Sequence, residues 1–219
     1  MSIGVASVMI ILGSYITHGF NKVTTSAVIG MVVTILFTGL LALISIHGAK
    51  LSGFSNEEAV YLNMNTNGSI DFAGLLLGGI IIGLLGVLYD AAIGQAVAVD
   101  ELHQVGPHLS RTVIFRRALR IGREHIGALV NILAIAYVGA SLPLPLLFYQ
   151  SGADFSLTIN SEIFATEIVR AMVGSIGLIL AVPITTLIAV VILIRKTEPL
   201  SREKTKEEEH TLEHYEYHH

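Results

Sequence analysis

Residues 72–99 read FAGLLLGGIIIGLLGVLYDAAIGQAVAV, an apolar run whose strongly polar members are Asp90 and Gln95. As a helix rising 1.5 Å per residue, such a run covers about 40 Å, more than the roughly 30 Å of bilayer hydrocarbon, so it is predicted to cross a membrane. Working outward, four further apolar blocks near residues 3–17, 26–46, 126–148 and 171–194 approach spanning length. The first is the shortest, and it lacks the basic n-region and small-residue cleavage site of a removable signal peptide. With 53% hydrophobic residues, 14% charged residues and a mean hydropathy of +0.70, the chain is too apolar for an ordinary soluble domain. The expected fold class is all-α: a polytopic helical membrane bundle of about five transmembrane helices plus one amphipathic cytoplasmic helix. The bundle occupies residues 1–194, and the charged segment 195–219 is expected to be a disordered cytoplasmic tail.

Arginine sets the expected orientation. The segment after the central run holds Arg111, Arg116, Arg117, Arg120 and Arg123, and the tail opens with Arg195 and Lys196, so both belong on the cytoplasmic side of a cell membrane. Alternation puts the amino terminus and the segments 51–71 and 149–170 outside. A span that begins at the first methionine with no polar segment before it suggests the carboxy-terminal portion of something longer. Segment 51–71, with Asn63, Asn65, Asn67 and Gly68, reads as an irregular outer loop. Gly106-Pro107 breaks the chain before Ser110, which opens an amphipathic helix over 111–122 whose arginines suit lipid phosphates.

The net charge of −4 owes much to the tail, where Glu207, Glu208 and Glu209 run together, and no basic-aromatic interleaving points to nucleic acid. Cysteine is absent, which removes disulfides and thiolate metal sites. The tail histidines His210, His214, His218 and His219 have no fixed ligand spacing, so neither a metal nor a cofactor is expected.

At helical spacing, Gly79, Gly83, Gly86, Asp90, Gly94, Val97 and Glu101 share one stripe of the central run. On the following span Arg120, Glu124, Gly127, Asn131, Ala134, Val138 and Ser141 share another. Small residues let helices approach closely in lipid, so the two stripes are expected to face each other, with Asn131 as partner of Asp90. With Val99 and Ile126 taken as the inner boundary, Asp90 lies about 13 Å in and Asn131 about 8 Å in. Gln95, rotated about 140° from Asp90, is expected to meet a different neighbour. Asp100, Glu101, Arg120, Arg123 and Glu124 form a candidate inner charge network. In the last span Pro183 removes a backbone hydrogen bond and predicts a kink over 176–186, lined by Gly174 and Gly177. Pro143 and Pro145 are expected to finish the fourth span.

An ionisable group inside a span is a candidate ion or proton site, because a carboxyl starved of water favours its neutral form and ionises when water or a cation reaches it. The competing role is structural, a hydrogen bond locking two helices. Enzymatic roles are not expected: an intramembrane aspartyl protease needs a second membrane-buried aspartate, and Asp100 lies on the same helix as Asp90. No Gly-x-Ser-x-Gly, His-Glu-x-x-His or Gly-x-x-x-x-Gly-Lys pattern occurs.

The ordered series Tyr89-Asp90, Gln95, Glu101-Leu102, Pro107-His108-Leu109-Ser110, Gly122-Arg123-Glu124, Gly127, Asn131, Ala136 to Pro143, Glu167-Ile168-Val169-Arg170, Gly174-Ser175-Ile176-Gly177 and Pro183 resembles the YibE/YibF family of bacterial multi-span membrane proteins. The resemblance covers most of residues 72–186 and implies a permease or transporter, with no established substrate. Longer members carry an additional amino-terminal span and an outer segment. Members often have Gly where Tyr89 stands and Ser near Gly94, so the surroundings of Asp90 are expected to differ here. In layout alone, an acidic span followed by an arginine-rich inner helix is similar to half of an RND or SecDF-type permease. Two roles follow as expectations: a permease coupled to protons or ions through Asp90, or a non-transporting scaffold of a larger complex. The expected partners are the lipid bilayer and either further copies of the chain or a paired family subunit.

Overall fold

The computed structural model describes residues 2–54, 57–66, 69–152 and 154–194, and these contain helices without strands. Eight helices follow in order: α1 (Ser2–His18), α2 (Lys22–Gly48), α3 (Glu57–Asn65), α4 (Phe72–Val105), α5 (Arg111–Ser141), α6 (Pro143–Ser151), α7 (Phe155–Ile159) and α8 (Glu162–Leu193). Four of them, α2, α4, α5 and α8, are long and apolar enough to cross a membrane. At 17 residues, α1 rises about 25 Å and is the shortest of the five blocks. The tail and its histidines lie outside the described residues.

Local chemistry sets the helix starts. The side chains of Asn21, Asp71 and Ser110, each in extended backbone conformation, accept from the amides of Thr24, Gly74 and Val113 and so satisfy donors that a first turn leaves free. Pro143 opens α6 where α5 ends, because a first-turn proline gives up no helical hydrogen bond. Two expectations change. Segment 51–71 contains the short helix α3, on which Ala59 is buried while Val60, Leu62 and Met64 are exposed. The amphipathic stretch 111–122 and the fourth span form one helix, which ends at Ser141 and not at 148. Gly122 lies inside this continuous helix, and its missing side chain lets Gln95 and Val182 close on the backbone there.

The core lies among α2, α4 and α8, where Met31, Ile35, Ile80, Leu84, Leu88 and Leu178 are almost completely buried. α5 packs along α4 and α8, and α1 along α2 and α4. Between α2 and α8 the seam is built from small residues in antiparallel register. A Cβ at Gly30 would stand 2.5 Å from Thr185 Oγ1 and 2.9 Å from Thr185 Cα, and one at Gly177 would stand 2.6 Å from Thr38 Oγ1. Thr34 and Thr38 return their hydroxyl protons to the carbonyls of Gly30 and Thr34, each at 2.8 Å, so these two polar side chains sit in an apolar seam with their donors satisfied, whereas the buried Thr185 hydroxyl has no partner among the described residues.

Both ends of α8 are pinned. At its start, Glu162 Oε1 accepts from the backbone amides of Ser52 (2.7 Å) and Gly53 (2.8 Å) and from the Ser52 hydroxyl (2.8 Å). Gly53 has φ 86°, and a Cβ there would collide with the backbone of Phe72, so glycine serves both the conformation and the close approach. At its end, Arg111 Nε donates to the Ile194 carbonyl at 3.0 Å, joined by Nη2, which supplies a donor to a helix terminus short of partners.

Candidate functional site

Asp90 lies on α4 with its side chain exposed, and Gly79, Gly83, Gly86, Gly94, Val97 and Glu101 are exposed on the same face. The sequence stripe is therefore real, but it points away from the bundle. A Cβ at Gly79, Gly83, Gly86, Gly94 or Gly127 would meet nothing within 4 Å, so these glycines do not pack helices within the chain, whereas Gly174 and Gly177 do. At Gly174 the neighbours are Leu84, Leu133 and the Tyr137 hydroxyl. Asn131 is exposed too, together with Arg120, Glu124, Gly127, Ala134 and Val138. The expected facing of the Asp90 and Asn131 stripes is thus corrected: both look outward. Spacing identifies which residues share a helix face, but in lipid both faces are apolar and hydropathy does not say which one is covered.

The side chain that joins α4 to α5 is Gln95. It is 3% exposed and donates from Nε2 to the Ala118 carbonyl at 2.8 Å. Its neighbour is the helix that had been expected to hold Asp90. This follows from the 140° rotation: if Gln95 meets α5, Asp90 cannot.

The surroundings of Asp90 were not fully legible in the sequence. Its chain neighbour Tyr89 places its hydroxyl 2.8 Å from His18 Nδ1 and 3.1 Å from Thr17 Oγ1, and those two side chains lie 2.9 Å apart. The last turn of α1 thus brings a polar triad, with one titratable imidazole, to the residue beside the carboxylate. Polar company reaches α4 at Tyr89, well before Val99, which the depth reading had taken as the boundary. Thr17-His18 at the end of the first apolar block was the available signal. Asp90 itself has no hydrogen bond or ion pair among the described residues.

No inner charge network forms among the described residues. Asp100 accepts from Gln104 at 2.7 Å, Glu101, Arg120, Arg123 and Glu124 are exposed, and the ion pair present is Arg170 with Glu167 at 3.6 Å. On α5 and its neighbour α8, however, four separately singled-out residues converge. Arg123, Gly127 and Asn131 from α5 and Pro183 from α8 line one cavity of about 620 Å³, with Ile179 and Val182 in its α8 wall. α8 runs through Pro183 as continuous helix, and the missing proline N–H leaves the Ile179 carbonyl without its usual helical donor.

A bundle of spanning apolar helices with intrahelical backbone bonding is the architecture of an integral membrane protein, because lipid offers no other partner for backbone polar groups. The chain matches the YibE/F-like protein family over residues 1–195, and it belongs to that family. Neither the curated proteins nor the solved structures compared with it gave a match.

Proposed function

We propose that the protein is a non-enzymatic permease subunit of a bacterial cell membrane, coupled to protons or ions through Asp90, which works as an assembly of further copies. In this reading the arginine-rich end is cytoplasmic and the amino terminus is outside. The observation that carries it is the outward, unpaired carboxyl of Asp90 on a glycine-lined face. The cost of a charged side chain in a span reaches roughly 2.5–3.5 kcal/mol at its centre and is smaller toward its ends, so such a group is covered by protein or reached by water when it is retained for work. The stripe from Gly79 to Gly94 has the small-residue spacing that lets two helices approach backbone to backbone, which makes a second copy of α4 the fitting cover. The Thr17–His18–Tyr89 triad supports a polar approach to the carboxyl. The assay of function is reconstitution in liposomes with a pH-sensitive dye, screened against solute classes, in which the proposal predicts a signal that needs Asp90. A scaffold would give none with any solute while keeping its complexes.

The assembly is testable separately because the chain has no cysteine. Gly86→Cys and Gly94→Cys, each introduced alone, are expected to give a disulfide-linked dimer on mild oxidation in native membranes. Ile132→Cys, exposed on α5, is expected to stay monomeric. Equal cross-linking at all three positions, or none on α4, would rule out the α4 contact.

A further inference from the structure

The cavity between α5 and α8 is a second place of interest, distinct from Asp90. Its lining is mostly apolar, with Val130 and Ile179 among the wall residues, but it carries a guanidinium at one end, Arg123, and an amide about 12 Å further along α5, Asn131. The spacing Arg123, Gly127, Asn131 places all three on one helix face, and nothing stands within 4 Å of a Cβ at Gly127, so the middle of the groove is open. The charge continues beyond the groove: Arg116, Arg117 and Arg120 are exposed on the same helix, with Glu124 as the nearby acid, and none of these arginines has an ion pair among the described residues. Arg111, by contrast, is committed to the Ile194 carbonyl.

A groove that is basic at its arginine-rich rim and apolar along its length matches an anionic amphiphile, with a phosphate at the guanidinium and a hydrocarbon chain beside Gly127, Val130 and Ile179. Basic pockets between spans on the cytoplasmic side bind anionic headgroups by this chemistry. We infer that the α5/α8 groove is a binding site for one anionic phospholipid of the cytoplasmic leaflet, held through Arg123. A soluble anion is the poorer fit, because most of the lining offers only dispersion and no hydrogen bonds. The inference rests on the orientation proposed above but not on transport, so its test reads lipid binding directly.

The test is native mass spectrometry of the purified full chain titrated with dioleoylphosphatidylglycerol or dioleoylphosphatidylcholine, with circular dichroism confirming that each variant is helical. The wild type is expected to retain one phosphatidylglycerol in preference to phosphatidylcholine. Arg123→Gln should weaken that preference about fivefold, on the scale of roughly 1 kcal/mol per basic residue near a lipid surface, while Arg123→Lys keeps most of it. Arg117→Gln removes the same charge about 120° around the helix and should leave the preference unchanged. Gly127→Leu, which fills the open middle of the groove, should reduce retention of both lipids. Equal losses in Arg117→Gln and Arg123→Gln would overturn the site in favour of diffuse surface charge. Unaltered retention in Gly127→Leu, or displacement of the lipid by water-soluble glycerol phosphate at equal concentration, would overturn it as well.

Discussion

Gly30→Leu is expected to abolish recovery of folded protein, and Gly83→Leu, the same change on another transmembrane glycine, is expected to leave the fold intact. At Gly30 the new Cβ would stand 2.9 Å from the Cα of Thr185, so the obstacle is backbone and cannot swing aside. The whole of α8 must move away from α2, and three more carbons must then be accommodated in a seam where Ala27, Met31, Thr34 and Thr185 are almost fully buried. Overpacking a close-packed core costs about 1–3 kcal/mol, occasionally more, and displacement of a central helix belongs at or above the upper end. At Gly83 a Cβ meets nothing within 4 Å, so the bundle has room for the larger side chain. What Gly83→Leu is expected to lose is the association of α4 faces between copies. Yield of monodisperse protein and its thermal unfolding midpoint check the first statement, and cross-linking through Gly86→Cys in the Gly83→Leu background checks the second.

The second large effect concerns Asp90→Asn. This variant should assemble, unfold at the wild-type temperature and show no solute-linked proton movement above protein-free vesicles. Its fold is expected to be unchanged because the side chain is exposed and has no hydrogen bond or ion pair among the described residues, and the substitution preserves shape. Its flux is expected to vanish because an amide cannot take up and release a proton, whereas Asp90→Glu keeps the titrating group and should keep part of the activity. If Asp90 were a helix lock, the asparagine would still offer a donor and an acceptor, so thermal stability and complexes would be kept and the wild type itself would show no solute-linked proton movement for the substitution to remove.

Much of the bundle was legible because lipid demands it. An apolar block of spanning length must be helical to satisfy its own backbone, so the four long spans could be placed from composition, and Ser110 marked a start by its chemistry; Asn21 and Asp71 carry the same capping chemistry but emerged only with the structure. The α2–α8 seam was also written in the chain, in the i, i+4 series Ser26, Gly30, Thr34, Thr38, although the glycines of α4 drew attention first. Direction was not legible. Gly83 and Gly30 look alike in sequence, yet one faces outward and the other receives a threonine, since a membrane helix carries no strong hydropathy contrast between its packed and its lipid-facing sides. The same lack of contrast misdirected Asp90 toward Asn131. Contacts between distant segments, such as Tyr89 with His18, Glu162 with the Ser52 amide and Arg111 with the Ile194 carbonyl, depend on the tertiary arrangement, and no spacing rule anticipates them.

The account depends on Asp90 exchanging its proton, and that is observed most directly by carbon-13 spectroscopy. With aspartate carboxyls labelled in protein reconstituted into bilayers, the wild-type spectrum minus that of Asp90→Asn isolates the one group. The account predicts a carboxyl resonance that moves between its protonated and ionised positions as pH is varied and that exchanges with bulk water. A resonance fixed in one state over the whole range in which the protein stays folded, and sealed from water, would contradict it.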